Sequence, residues 1–149
     1  MDRRDFIKTS CLACAGTIGA AWLLQACSSA KHLNNVAIKD NRITVKKSEF
    51  TVVKKEKNVE QKFVLLKPEG IEFPIALYKL TINGTEEYKA LFLQCTHQGC
   101  EVTPYEAAVV CPCHGAEFNT KGMVTQGPAE RDLKTFLTTH DNENIYIQL

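Results

Sequence analysis

The sequence predicts an all-β domain preceded by a short export segment, and three observations carry that reading. After residue 31 no stretch keeps a helical period of apolar residues, and short runs of Val, Ile, Thr and aromatic residues recur instead. Turn-forming residues separate these runs at hairpin spacing, as in Lys39-Asp40-Asn41-Arg42 and Asn83-Gly84. Residues 1–30, by contrast, have the make-up of a targeting segment.

That segment opens with Asp2-Arg3-Arg4-Asp5-Phe6-Ile7-Lys8, which resembles a twin-arginine export signal. No charged residue then occurs before Lys31. The apolar core from Cys11 to Leu24 is short of the roughly 20 residues that a membrane span needs. It closes with Leu24-Gln25-Ala26-Cys27-Ser28-Ser29, similar to a bacterial lipobox, in which Cys27 becomes a lipidated N-terminus after cleavage behind Ala26. The rival expectation is an uncleaved anchor helix. Cys11 and Cys14 sit inside the apolar core and read as small hydrophobic residues. The expected division is therefore a signal or anchor segment at 1–30 and one domain at 31–149.

Within that domain, Val36-Ala37-Ile38 and Ile43-Thr44-Val45 flank the first hairpin-like connection. Thr51-Val52-Val53, Phe63 to Leu66 and Ile75 to Leu80 follow as strands. Asn83-Gly84 turns the chain into Tyr88 to Leu93, Val109-Val110 makes a short strand, and Thr135 to Thr138 with Ile145 to Ile147 form the last pair. The lysines at 46, 47, 54, 55, 57 and 62 read as a solvated loop and edge-strand face. His32 and His140 lie among polar residues and read as surface histidines.

The chemistry is concentrated between Cys95 and Phe118. The first stretch is Cys95-Thr96-His97-Gln98-Gly99-Cys100, and the second, ten residues on, is Cys111-Pro112-Cys113-His114-Gly115-Ala116-Glu117-Phe118. Each offers a cysteine and a histidine: Cys95 with His97, and Cys111 with His114. Two thiolates and two imidazoles suit a tetrahedral zinc or a [2Fe–2S] cluster in which two histidines replace two cysteines on one iron. Cys100 and Cys113 are a further pair for which a zinc site has no use, whereas two loops gripping a cluster gain from a covalent tie. Gly99 and Gly115 read as loop positions needing positive φ or close backbone approach.

The spacing C-x-H-x-x-C followed by C-x-C-H resembles the Rieske iron–sulfur proteins at all six positions, and Thr96, Gly99, Pro112 and Gly115 are similar to the branch in quinol-oxidising cytochrome bc complexes. The resemblance implies a strand sandwich from which the cluster loops project. It further implies Cys95 and Cys111 on the buried iron, His97 and His114 on the outer iron, and a Cys100–Cys113 disulfide between the loops. Gly127-Pro128-Ala129 resembles the family's proline loop over the cluster.

Two neutral imidazoles in place of two thiolates leave the oxidised cluster nearly neutral, so accepting an electron is easier. Such centres lie at about −150 to +300 mV, against about −400 mV for plant-type ferredoxins. High-potential members of the family carry a serine and a tyrosine where this chain has Ala116 and Phe118, and those hydroxyls donate to cluster sulfurs. Their loss implies a potential in the lower or middle part of the range. Gln98 stands where a leucine is usual beside the first histidine.

Composition bounds the function. The 149 residues are 44% hydrophobic and 23% charged, with a net charge of +1, so no broad basic surface recommends nucleic acid. Without residues 1–26 the chain loses Arg3, Arg4, Lys8, Asp2 and Asp5, which leaves basic and acidic side chains balanced. No residue beyond the ligands is placed as a general base or nucleophile. The expectation is an exported, membrane-anchored one-electron carrier of a respiratory, quinol-oxidising chain, with cytochrome b- or c-like partners. The alternatives are the small subunit of an exported oxidoreductase, resembling the arsenite oxidase arrangement, and a structural Cys2His2 zinc domain.

Overall fold

The structure, a computed structural model, describes residues 30–54 and 56–149. The twin-arginine pair, the lipobox with Cys27 and Lys55 lie outside the described residues. Among the described residues fourteen strands run in chain order: β1 Lys31–Val36, β2 Ile38–Lys39, β3 Arg42–Lys46, β4 Thr51–Lys54, β5 Lys57–Glu60, β6 Phe63–Pro68, β7 Ile75–Ile82, β8 Thr85–Phe92, β9 Thr103–Pro104, β10 Ala108–Val110, β11 Glu117–Asn119, β12 Val124–Gln126, β13 Thr135–His140 and β14 Asn144–Gln148. The single helical turn described is a 3-10 turn at Lys47–Phe50. Among the described residues no helix is long and apolar enough to cross a membrane.

Two hairpins form where the turn chemistry demands. Asp40 and Asn41 have φ of 50° and 58°, and Asn83 and Gly84 have φ of 52° and 79°. Positive φ at both central residues is the type I′ pattern, whose twist matches the flanking strands. The predicted strand Val36-Ala37-Ile38 is divided between β1 and β2. His32, expected in a linker, stands exposed on β1. His140 ends β13, where its ring meets Tyr88 edge-on.

Eight strands make one sheet in the order β1-β6-β7-β8-β13-β14-β3-β2, four make a second in the order β12-β11-β10-β9, and β4-β5 stand alone as a ribbon. The paired stretches Phe63 to Leu66 of β6 and Ile75 to Tyr78 of β7 are covered on both faces, which is why they read as continuous apolar runs without alternation. Their alternating side chains feed two cores. Val64, Leu66, Ile75, Leu77 and Ala90 pack with Ile43, Val45, Ile145 and Ile147, so the eight-stranded sheet folds over on itself. Phe63, Ala76, Tyr78 and Leu91 pack instead under the four-stranded sheet, with Val102, Val109, Ala116, Phe118 and both Cys95 and Cys111.

Each fully buried Leu, Ile or Phe stabilises the fold by about 1.5–3 kcal/mol, against about 0–1 kcal/mol for an exposed ion pair, so the two cores hold the fold. The contact between sheets is also polar at one point. The buried Tyr78 hydroxyl donates to the carbonyl of Tyr105 at 2.7 Å, pinning the β9–β10 turn, and burial holds its pKa far above the usual range. Of the lysine run, Lys47 pairs with Glu86, while Lys54 and Lys57 project from the β4-β5 ribbon.

Candidate metal centre

Two loops lie at the same end of the four-stranded layer, one entering it between β8 and β9 and the other joining β10 to β11. They share a backbone. In the first, the Cys95 N–H donates to the Cys100 carbonyl (2.8 Å) and the Gly99 N–H returns to the Cys95 carbonyl (2.9 Å). In the second, the Cys111 N–H donates to the Ala116 carbonyl (2.8 Å) and the Gly115 N–H returns to the Cys111 carbonyl (3.0 Å). Each loop is thus a six-residue ring opened by a cysteine and closed after a glycine. The ring requires a left-handed residue at its fifth place, and Gly99 and Gly115 supply φ of 78° and 71° without the Cβ penalty.

This repeat aims the first residue of each loop inward. Cys95 and Cys111 are only 3% and 2% exposed, and their thiols lie within hydrogen-bonding reach of one another. Burial pushes the Cys95 thiol above its ordinary range, and the Cys111 thiol beside it adds to that, while the N–H groups of His97 and Gln98, which donate to the Cys95 sulfur, act in the opposite direction. His97 and His114 are exposed, and their rings stand edge to face with centroids 5.0 Å apart.

The Cys100–Cys113 disulfide joins the loops across a Cα–Cα distance of 6.6 Å. The sulfurs of Cys100, Cys111 and Cys113 lie within 4.8 Å of one another, but two of the three are committed to that bond. They therefore mark the disulfide packed beside the Cys111 thiol, and not a three-thiolate metal site.

A third segment braces both loops. The Thr96 hydroxyl donates to the Arg131 carbonyl (2.5 Å), and the Arg131 guanidinium donates back to the Thr96 carbonyl (3.5 Å). On the other side the Gln126 amide donates to the Gly115 carbonyl (3.1 Å). Gly127 and Pro128, joined by a cis peptide bond, lie exposed between these straps, and Ala129 is buried behind them. Sequence reasoning missed Gln126 and Arg131, since nothing in their spacing ties them to the cysteine loops.

Ala116 and Phe118 are both fully buried in the core that holds the two thiols. Neither offers a donor. The hydroxyls of Tyr78 and Thr96 are turned to backbone carbonyls. Besides the neighbouring Cys111 thiol, the Cys95 sulfur meets the backbone N–H groups of His97 and Gln98.

Paired buried thiols beneath paired exposed imidazoles, on two linked loops of an all-β domain, define a class: two-loop metal-binding domains with mixed cysteine and histidine ligation. The donor set fits such a group, with sulfur donors inward and nitrogen donors at the surface. The comparisons make this specific. Residues 39–137 match the family model of the Rieske [2Fe-2S] domain, and the chain belongs to that family. Membership decides between the two metal readings the residues had left open: the cofactor is a Rieske [2Fe–2S] cluster and not a structural zinc.

Among similar proteins is a cytochrome b6-f complex iron-sulfur subunit of Prochlorococcus marinus (strain MIT 9303), 41% identical over 36% of this chain and 31% of that protein. Another is the corresponding subunit of Synechococcus sp. (strain JA-3-3Ab), 38% identical over 46% of this chain and 41% of that protein. The match therefore spans about a third to two fifths of these curated relatives. Among solved structures, the plasma membrane Rieske protein of Synechocystis PCC 6803 is 33% identical over 59% of this chain and 87% of that one, with a TM-score of 0.51.

Proposed function

We propose that this chain is an exported, membrane-anchored electron-transfer protein of a quinol-oxidising, bc-like respiratory chain. Cys95 and Cys111 hold the inner iron, and His97 and His114 hold the outer one. The observation that carries this reading is the burial contrast between the two donor pairs: thiols 3% and 2% exposed, imidazoles open to solvent on the same two loops. When bound, the cluster supplies a one-electron couple.

The chain's own residues then determine what can approach and what moves with the electron. Each histidine keeps one ring nitrogen beyond the one that binds metal, and on an exposed ring that nitrogen can hold or release a proton at the surface. A quinol, which gives up protons with its electrons, matches that arrangement. That similar proteins are iron-sulfur subunits of cytochrome b6-f complexes supports cytochrome partners. The domain is 31–149, and residues 1–30 export it and fix it to the membrane through Cys27.

Two experiments test the proposal. Cys27→Ser should leave unprocessed precursor or release soluble domain, and Arg3→Lys with Arg4→Lys should block export; a mature chain beginning upstream of Cys27 without acyl mass would replace the lipid by an uncleaved helix. Anaerobic mixing of the loaded protein with menaquinol should bleach its visible absorption. Failure with menaquinol and with ubiquinol alike would move the chain to the oxidoreductase-subunit reading.

A further inference from the structure

The peptide between Thr96 and His97 joins two groups that lie on opposite sides of the first ring. Its N–H, that of His97, donates to the Cys95 sulfur. In a trans peptide the carbonyl points the opposite way, and the Thr96 carbonyl meets the Arg131 guanidinium at 3.5 Å. That contact is long for a hydrogen bond, and its strength comes from the charge. The Thr96 hydroxyl, donating to the Arg131 carbonyl at 2.5 Å, keeps the two residues together. One planar unit thus carries a cation at its outer end and a ligand thiol at its inner end.

The second ring is braced without charge, by the neutral Gln126 amide on the Gly115 carbonyl. Among the described residues Arg131 has no ion-pair partner. The adjacent Asp132 carboxylate accepts instead from the Val124 N–H at 2.8 Å. Lys134 lines the same hollow beside the first loop, but its ammonium stands over the rings of Phe92 and Phe136, 5.7 and 4.9 Å from their centroids. Of the two cations, Arg131 is the one set against the backbone of the ring.

We propose that Arg131 is a positioning residue that sets the potential: its guanidinium orients and polarises the Thr96–His97 peptide, so that the His97 N–H is held on the Cys95 sulfur. The inference rests on Cys95 as a cluster ligand. Ala116 and Phe118 offer no hydroxyl, which leaves backbone N–H groups as the donors on that sulfur. Hydrogen bonds in series strengthen one another, so a cation on the carbonyl firms the N–H at the other end. Reduction adds negative charge to the cluster and its thiolates, and a firmer donor there favours the reduced form. Arg131 is exposed, so water and salt screen any direct path from its charge to the cluster, whereas the peptide crosses that distance in one bonded unit.

Film voltammetry of the loaded protein tests this with three variants. Arg131→Gln should lower the potential by a threefold to tenfold change in the reduction equilibrium, roughly 30–60 mV for one electron. Arg131→Lys, whose ammonium can meet the same carbonyl, should recover at least half of the loss. Lys134→Gln, which removes an equal charge from the same hollow, should have less than half the effect of Arg131→Gln. The iron–thiolate stretches in the resonance Raman spectrum respond to hydrogen bonding at sulfur, and they should shift in Arg131→Gln and stay in place in Lys134→Gln. An unchanged potential in Arg131→Gln, an equal fall in Lys134→Gln, no recovery with Arg131→Lys, or a fall without the Raman shift overturns the peptide route and leaves the ligand assignment standing. If Arg131→Gln sheds its cluster, Arg131→Lys carries the test, and a potential at or above that of the wild type overturns the route. A wild type that holds no cluster overturns both.

Discussion

The two cysteine loops are the same ring with different side chains hung on it. Both close with the same pair of backbone hydrogen bonds, and both place glycine fifth. They differ in where the histidine falls, third at His97 and fourth at His114, and in how the ring ends, with Cys100 in one and Ala116 in the other. The backbone thus fixes the inward direction of the two thiols, while the histidine offset brings the two rings together from non-equivalent places. The last residue decides burial. Cys100 turns to the half-buried disulfide, whereas Ala116 closes the second ring inside the core.

The disulfide couples the two rings, so its loss gives the largest effect. A bridge closing a loop of about 15 residues is worth about 3 kcal/mol, and this one closes a sequence separation of 13. Cys100→Ser with Cys113→Ser should lower the melting temperature and speed cluster loss, read by the decay of visible absorption under a chelator.

Next is the asymmetry at the rings' ends. Ala116→Ser and Phe118→Tyr each introduce a hydroxyl into the core shared with the two thiols. A charge-assisted donor is worth about 1.5–3 kcal/mol, and about 59 mV corresponds to tenfold for one electron, so each should raise the potential by on the order of 60–130 mV. Film voltammetry of the double variant should show a larger shift than either single one. Without an upward shift, the backbone donors already set the potential.

The shared glycine tests the sameness of the rings. Neither Gly99 nor Gly115 has a close obstruction to a Cβ, so Ala at either meets only the left-handed φ and should cost about 1–2 kcal/mol at both. Unequal losses by chemical denaturation would break the equivalence.

The smallest effect lies outside both rings. Lys79, then Tyr88 and Lys47, hydrogen-bond Glu86 and hold its carboxyl down to about 2. Its folded pKa is depressed, so its stabilisation is present above the ordinary carboxylate range and is lost as pH falls from about 4.5 toward about 2. Melts of the wild type and Glu86→Gln should converge across that window, with the visible spectrum of Glu86→Gln unchanged at neutral pH.

The same contrast explains what the sequence disclosed. Both rings are local, so their cysteines, histidines and glycines were readable from spacing alone. Strands β6, β7, β8, β13 and β14 announced themselves through apolar runs and turn residues. Strands β5, β9, β11 and β12 did not, because they are two to four residues long and their pairing supplies what their side chains lack. The polar Lys31–Val36 forms a strand because β6 lies beside it. The straps from Thr96 to Arg131 and from Gln126 to Gly115 join residues 35 and 11 apart. No local pattern encodes such pairs.

The most direct test of the account is to count iron and acid-labile sulfide per chain in five versions of the protein. The wild type should carry about two of each, as a [2Fe–2S] cluster requires. Cys95→Ser and Cys111→Ser, changed at the first place of each ring, should lose both elements. His97→Ala and His114→Ala should lose the Rieske spectrum together with most of the iron. Stoichiometric zinc with no sulfide in the wild type, or full cluster content after any one of the four substitutions, would contradict the ligand assignment.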